Sequence, residues 1–150
     1  MPTRTRIKVE LVGLDKTIKE LARRGKLVGA VLEAAAQAGA QIVQAAANQD
    51  APTPAVEIEP NAEKSKPAYR VVDIGPKKEK WFYQFFETGA QPHEIGGPLA
   101  FKDEMGKTIV VGGASHPGIP ARPFLRPAMD SQKDAATQKV GSVIKNKADL

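Results

Sequence analysis

The stretch that most constrains the fold is His116-Pro-Gly-Ile-Pro-Ala-Arg-Pro-Phe-Leu-Arg-Pro-Ala128, which places four prolines in thirteen residues. Each proline holds φ at about −65° and removes one backbone donor. The residue before each is pushed toward an extended conformation. His116 to Arg122 is therefore expected to form a stiff, extended arm. Pro123 suits the first turn of a helix, where a missing N–H costs nothing. Pro127 follows one turn later, so regular helical bonding is expected only beyond it. The helix is expected over Phe124 to Ile144, with a loose first turn around Pro127, on a stripe of Leu125, Ala128, Met129, Gln132, Ala136, Val140, Val143 and Ile144. Lys145 to Leu150 are expected to fray.

Upstream, Ile7, Val9 and Leu11 alternate with Lys8 and Glu10, the pattern of a half-buried strand that Gly13 ends. Asp15 reads as the N-cap of a helix carrying Ile18, Leu21 and Ala22, broken or bent at Gly25. Lys26 to Gln49 has the strongest helical period, with Val28, Val31, Leu32, Ala35, Ala38, Ile42 and Ala45 on one stripe. Its small side chains let another element approach closely, and Pro52 and Pro54 stop it. Val56–Glu59 and Ala68–Ile74 read as strands, with a mobile loop over Pro60–Lys66 between them; Gly75-Pro76 ends the second.

Lys80–Glu87 gathers Trp81, Phe82, Tyr83, Phe85 and Phe86 at a spacing that favours a short helix over a strand. Such a cluster is either core or part of a partner-facing surface. Ala90–Gly97 reads as a turn-rich loop. Leu99–Phe101 and Lys107–Val111 read as a hairpin joined across Asp103–Gly106, and Gly112-Gly113 as the release into the proline arm. The expected fold is a single α+β domain: a small, mostly antiparallel sheet against a long alanine-rich helix, with a C-terminal helix.

Composition narrows the function classes. The chain has 150 residues, no cysteine and a net charge of +5, which excludes disulfides and thiolate metal sites. No run is apolar enough to span a membrane, and Met1–Glu10 lacks a signal-peptide core, so a soluble cytoplasmic protein is expected. The basic charge is dispersed, without the interleaved aromatics of a single-strand binder. His93 and His116 have no metal-ligand spacing. Pro92-His93-Glu94 lacks the cysteine motif a zinc deaminase needs. No serine lies in a nucleophile elbow, and the glycine pairs match no phosphate-binding loop. No catalytic, cofactor or metal residues are assigned, and no enzyme is expected. Arg122 and Arg126, four apart, can grip carboxylates or phosphates on one side, or pair within the fold with a group such as Glu87.

Two of these stretches look familiar together. Pro120-Ala-Arg-Pro-Phe-Leu-Arg-Pro-Ala128 resembles a signature near the C-terminus of the tail-component or tail-completion proteins of the head–tail neck of tailed bacteriophages. Phe85-Phe86-Glu87-Thr88-Gly89-Ala90 is similar to that family's aromatic segment ending in Glu-Phe-Gly-Thr. Gly13-Leu14-Asp15 and Ala51-Pro52 fall in the same order. The chain departs from the family at Thr53-Pro-Ala-Val-Glu57, and Thr88 and Ala90 change two positions of the aromatic motif. The stretch from Pro92-His93 to His116-Pro117 is longer than in the shortest members, which suggests an added hairpin or loop.

The resemblance implies a phage or prophage morphogenesis protein without catalysis or cofactor. It would self-assemble as a homo-oligomeric ring and dock to head-connector and tail-terminator or tail-tube proteins, close to DNA. It would occupy the host cytoplasm during assembly and then the virion. Candidate interface residues are Phe85, Glu87, Arg122, Pro123, Phe124 and Arg126, with the proline arm and the loops at Pro60–Lys66 and Gln91–Pro98 reaching neighbours. The competing class is a small basic nucleic-acid-binding protein, carried by charge alone.

Overall fold

A computed structural model describes residues 5–10, 14–24 and 27–148. In chain order these form strand β1 (Ile7–Glu10), helices α1 (Asp15–Arg23) and α2 (Val28–Asp50), and strands β2 (Val56–Pro60) and β3 (Val71–Pro76). A 3-10 helix (Lys78–Tyr83), helix α3 (Gln84–Thr88), strands β4 (His93–Lys102) and β5 (Thr108–His116), and helix α4 (Leu125–Ala148) complete the chain. The class is α+β, with two antiparallel sheets, a long alanine-rich helix and a C-terminal helix among the described residues. The readings at Leu11, Gly13, Gly25 and Lys26 lie outside the described residues.

The first sheet has the order β1-β3-β2, antiparallel throughout. Ile7 and Ile58 both stand opposite Ile74, and Val9 opposite Val72, so the period-2 alternation puts these side chains on one face. That face packs on Ala36, Ala40, Val43 and Ala47 of α2 and on Leu125, Ala128 and Ala136 of α4. On the other face Arg6 lies across the central strand. Its guanidinium reaches Glu57 Oε1 at 3.3 Å and Glu59 Oε2 at 2.9 Å on β2. Gly75 stands between them, and a Cβ there would lie 2.6 Å from the arginine's Cγ. Gly75-Pro76 therefore does not end β3; both residues pair with β2, and the glycine makes room for the arginine. At its other end β3 begins at Val71 rather than Ala68. Lys66 and Tyr69 exchange backbone hydrogen bonds in a tight turn that takes up the intervening residues.

α1 begins at Asp15, which sits in the first turn rather than capping it. Its Glu20 carboxylate accepts hydrogen bonds from Arg23 and Arg24, one turn further on. α2 ends at Asp50, ahead of the two prolines. The reversal into β2 is held by Asn48, whose Oδ1 accepts the N–H groups of Ala55 and Val56 at 2.9 Å each. The N-terminal part of the expected α2 stripe is buried at Val31, Leu32 and Ala35, but the second half turns differently. Gly39, Ala40, Val43 and Ala47 face inward, Ile42 is half-buried and Ala45 is exposed. In so alanine-rich a helix, period alone does not choose the face.

α2 and α4 pack along most of their length, and Gly39 lies at the contact. A Cβ there would sit 2.7 Å from Val140 Cγ2 and 3.3 Å from the Ala136 carbonyl. A second apolar cluster joins Leu21 of α1 to Leu32 and Ala35 of α2 and Val140, Ile144 and Ala148 of α4. This corrects the expected fraying over 145–148: α4 stays helical to Ala148 because that residue is fully buried in the cluster, and the last two residues of that expectation lie outside the described residues.

Three expectations follow. Gly39→Val should lower stability by about 1–3 kcal/mol in urea unfolding, because the added volume meets a β-branched side chain and backbone. Gly141→Ala, where an added Cβ meets nothing within 4 Å, should raise it by about 0.5–1 kcal/mol. The Glu20 carboxyl should titrate at about 2, held below its ordinary 4.5 first by Arg23 and then by Arg24. A depressed folded value means that this pair steadies α1 fully above pH 4.5 and loses its effect as pH falls from there through 2. Carboxyl carbon-13 shifts across that window read it directly.

Candidate assembly interface

The site is built outward from the start of α4. A helix leaves its first backbone N–H groups without intrahelical partners. Here the Glu87 carboxylate takes three of them: Oε2 accepts from Phe124 at 2.8 Å and Leu125 at 2.9 Å, and Oε1 accepts from Arg126 at 3.0 Å. The next residue is Pro127, which has no N–H to satisfy. The helix itself begins at Leu125, but with these three N–H groups taken by Glu87 and none on Pro127, its own N–H ladder starts only beyond Pro127, as the sequence suggests. One residue before Pro123, the Arg122 N–H donates to the Phe86 carbonyl at 2.6 Å. Every backbone donor from Arg122 to Arg126 thus ends on the Phe86-Glu87 dipeptide.

Glu87 is held by the aromatic turn, which is helical as expected: a 3-10 helix over Lys78–Tyr83 running into α3. Tyr83 is buried, makes edge-to-face contacts with Phe86 and Phe124, and hydrogen-bonds Thr53 across the chain. Trp81 and Phe82 stay substantially exposed on the outer side, and Phe85 is half-buried against Trp81.

Between Glu87 and Arg122 the chain leaves the body. Ala90 and Ile119 exchange backbone hydrogen bonds of 2.9 and 2.8 Å at the root. Gly89 and Gly118 flank this bridge with φ of 74° and 83°. A Cβ on Gly118 would lie 2.4 Å from the Ala90 carbonyl, so the root closes only around glycine. Between His116 and Arg122 the arm forms no helix, as its prolines imply, and it makes one strand-like bridge at Ile119 with Gly118 turning the chain at φ 83°.

Beyond the root, β4 and β5 form a hairpin that corrects the sequence reading. Ala90–Gly97 is not a loop from His93 onward, and Gly112-Gly113 does not end a strand. The ladder runs unbroken from Lys102↔Thr108 to His93↔His116, apart from a bulge between Gly96 and Leu99. The glycines mark a close backbone crossing, not a turn: a Cβ on Gly97 would sit 2.0 Å from the Gly112 carbonyl oxygen. The turn is where expected, at Asp103–Gly106, with Asp103 Oδ1 accepting from Met105 and Lys107.

The hairpin is exposed along nearly its whole length. Cross-strand partners share a face. Leu99 with Val111 and Phe101 with Ile109 therefore line one face, and all four are apolar. Phe101 remains 52% and Ile109 36% exposed. This is the pattern of a half-buried strand with no core behind it. A lone two-stranded hairpin is at best marginally stable in water.

Of the six residues singled out from sequence, five gather around the α4 start in different roles, while Phe85 lies against Trp81. Glu87 is committed to backbone donors and not to an arginine side chain. Phe124 is fully buried in the chain's own core and presents no surface. Arg122, Pro123 and Arg126 are exposed, and neither arginine makes an ion pair among the described residues. Sequence reasoning missed the hairpin's apolar face. The alternation was legible in Phe101 and in Ile109 with Val111, but the glycines obscured the ladder that aligns them. It also missed that His93 and His116 stack, with ring centroids 5.0 Å apart. His93 Nδ1 lies 2.9 Å from the Gln91 carbonyl, and His116 Nδ1 accepts from the Gly118 N–H. Among the described residues no three His, Asp or Glu side chains converge as a metal site. Set against models of known families, curated protein sequences and solved structures, the chain matches none.

The Glu87 clamp makes a sharp test. Glu87→Ala should destabilise the protein by about 3 kcal/mol, since charge-assisted hydrogen bonds contribute about 1.5–3 kcal/mol each and act here as a unit. Glu87→Gln keeps one acceptor oxygen but loses the charge at the helix start, so it should cost about half as much. Urea midpoints of the two variants measure both.

Proposed function

We propose that the chain is a structural morphogenesis protein of the head–tail junction of a tailed phage or prophage, which self-assembles as a ring and acts without catalysis. The observation that carries this reading is the β4–β5 hairpin, an apolar-faced arm held out from the body on a closed root. Burying Phe101 and Ile109 against a neighbour is worth about 1.5–3 kcal/mol for each side chain. A repeated, closing contact between an arm and another surface of the same chain is the geometry that makes rings.

The resemblance to the tail-completion family supports the same reading. Its two motifs are the two sides of the Glu87 clamp, which fixes where the arm leaves the body. The ring's neighbours along the particle axis would be connector and tail-terminator or tail-tube proteins. The exposed Arg122 and Arg126, beside the arm's root, are available to acidic groups on such partners.

Light scattering over a concentration series tests the reading. The wild-type mass should rise to a many-fold multiple of 16.1 kDa. Phe101→Glu and Ile109→Glu should each cut that mass without altering thermal unfolding of the body. Retention of DNA that weakens steeply with salt, together with a constant monomer mass, would instead favour the nucleic-acid-binding class.

A further inference from the structure

The two edges of the hairpin are not alike. β4 carries Glu94 and Lys102, contains Pro98, which has no N–H, and is bulged between Gly96 and Leu99. Charges, proline and bulges are the devices that keep an edge strand from pairing. β5, Thr-Ile-Val-Val-Gly-Gly-Ala-Ser-His from 108 to 116, has none of them. Among the described strands it alone has no Asp, Glu, Lys or Arg.

The ladder shows which groups this edge offers. The Asp103 N–H donates to the Lys107 carbonyl across the turn. Hydrogen-bonded and non-hydrogen-bonded pairs alternate along an antiparallel ladder. Counting back from that bond, Ile109 and Val111 bond to β4, whereas Thr108 and Val110 do not. The N–H and C=O groups of Thr108 and Val110 therefore point away from β4 along the open edge. Val110 is also 62% exposed.

We propose that the free edge of β5 is a strand-pairing site and that its occupant is β5 of a second copy, running antiparallel. The inference rests on the self-assembly reading for the identity of the occupant. The reason for a copy over another strand is that pairing joins two marginal two-stranded hairpins into one four-stranded sheet, past the number at which a sheet holds by itself. The net charge of +5 does not prevent it locally, because β5, alone among the described strands, lets two copies meet with no like charges opposed. Because the β4 edge is blocked, the contact closes at two copies. It is not the ring contact, which belongs to the apolar face.

The test uses the full chain with Val110→Pro. The Val110 N–H is not used by β4, and proline is tolerated on edge strands, so the hairpin keeps its own ladder. Val110→Thr, which retains the N–H, is the control. In the Phe101→Glu background, which removes the face contact, the mass should rise with concentration from 16.1 kDa to twice that value. Adding Val110→Pro should hold it at 16.1 kDa, and adding Val110→Thr should not. Amide exchange at Val110 should slow by about tenfold or more at the concentration where the pair forms. A pair that persists in Val110→Pro, or Val110 exchange independent of concentration while oligomers form, overturns the edge pairing and leaves self-assembly standing. A wild-type chain that stays monomeric at every concentration overturns both.

Discussion

The rest of the structure hangs on one carboxylate. Glu87 accepts three consecutive backbone N–H groups at the start of α4, and Pro127 removes the next donor. A helix start satisfied in this way needs no cap from its own strand of chain, and the proline arm has none to give. The negative charge also faces the positive end of the helix, a favourable placement for a partly buried group. Because the carboxylate comes from far upstream, the interaction is a tertiary clasp as well as a cap. It fixes the aromatic turn to the helix, seats Phe124 beside Tyr83 in the core, and closes the excursion that carries the hairpin.

That closure explains how a thin core supports a protruding arm. The body is assembled from small side chains: alanines on α2, Gly39 against Val140, and a sheet whose inner face is six aliphatic residues. Close approach of α2 and α4 replaces bulk with proximity, since tight packing of many small contacts is how such interiors gain dispersion energy. The hairpin contributes nothing to this core. Its apolar residues lie outside it, with Phe101 and Ile109 open to solvent. Leu99, Phe101, Ile109 and Val111 thus share one side of a hairpin that belongs to neither core cluster.

Much of the fold was legible in residue patterns. β1, β2, the end of α2, the helical aromatic turn, the non-helical proline arm and the Asp103–Gly106 turn each follow from local chemistry: alternation, prolines, spacing or a turn aspartate. The failures share a cause. The face of α2 was misjudged beyond Ala35 because alanine on every side erases the period. β4 and β5 were cut short because glycine is read as a breaker, whereas Gly97 and Gly113 sit where two backbones nearly touch. Gly75-Pro76 was read as a strand end although Gly75 lets Arg6 cross the central strand. In each case a small residue was serving a neighbour that is remote in sequence.

The sequence by itself determined the class of fold, the order of its elements and the absence of helix in the proline arm, because φ restriction, side-chain period and turn chemistry act within a few residues. It also brought Glu87 and the Pro120–Ala128 stretch under notice as a pair, through resemblance, without saying how they touch. Only the tertiary structure decided that Glu87 binds backbone donors and not an arginine, that Phe124 belongs to the core, and that the two histidines stack. It alone decided which hairpin edge is open and which face is unpaired. Those outcomes depend on hydrogen-bond direction and strand register between segments far apart in the chain, and a linear pattern carries neither.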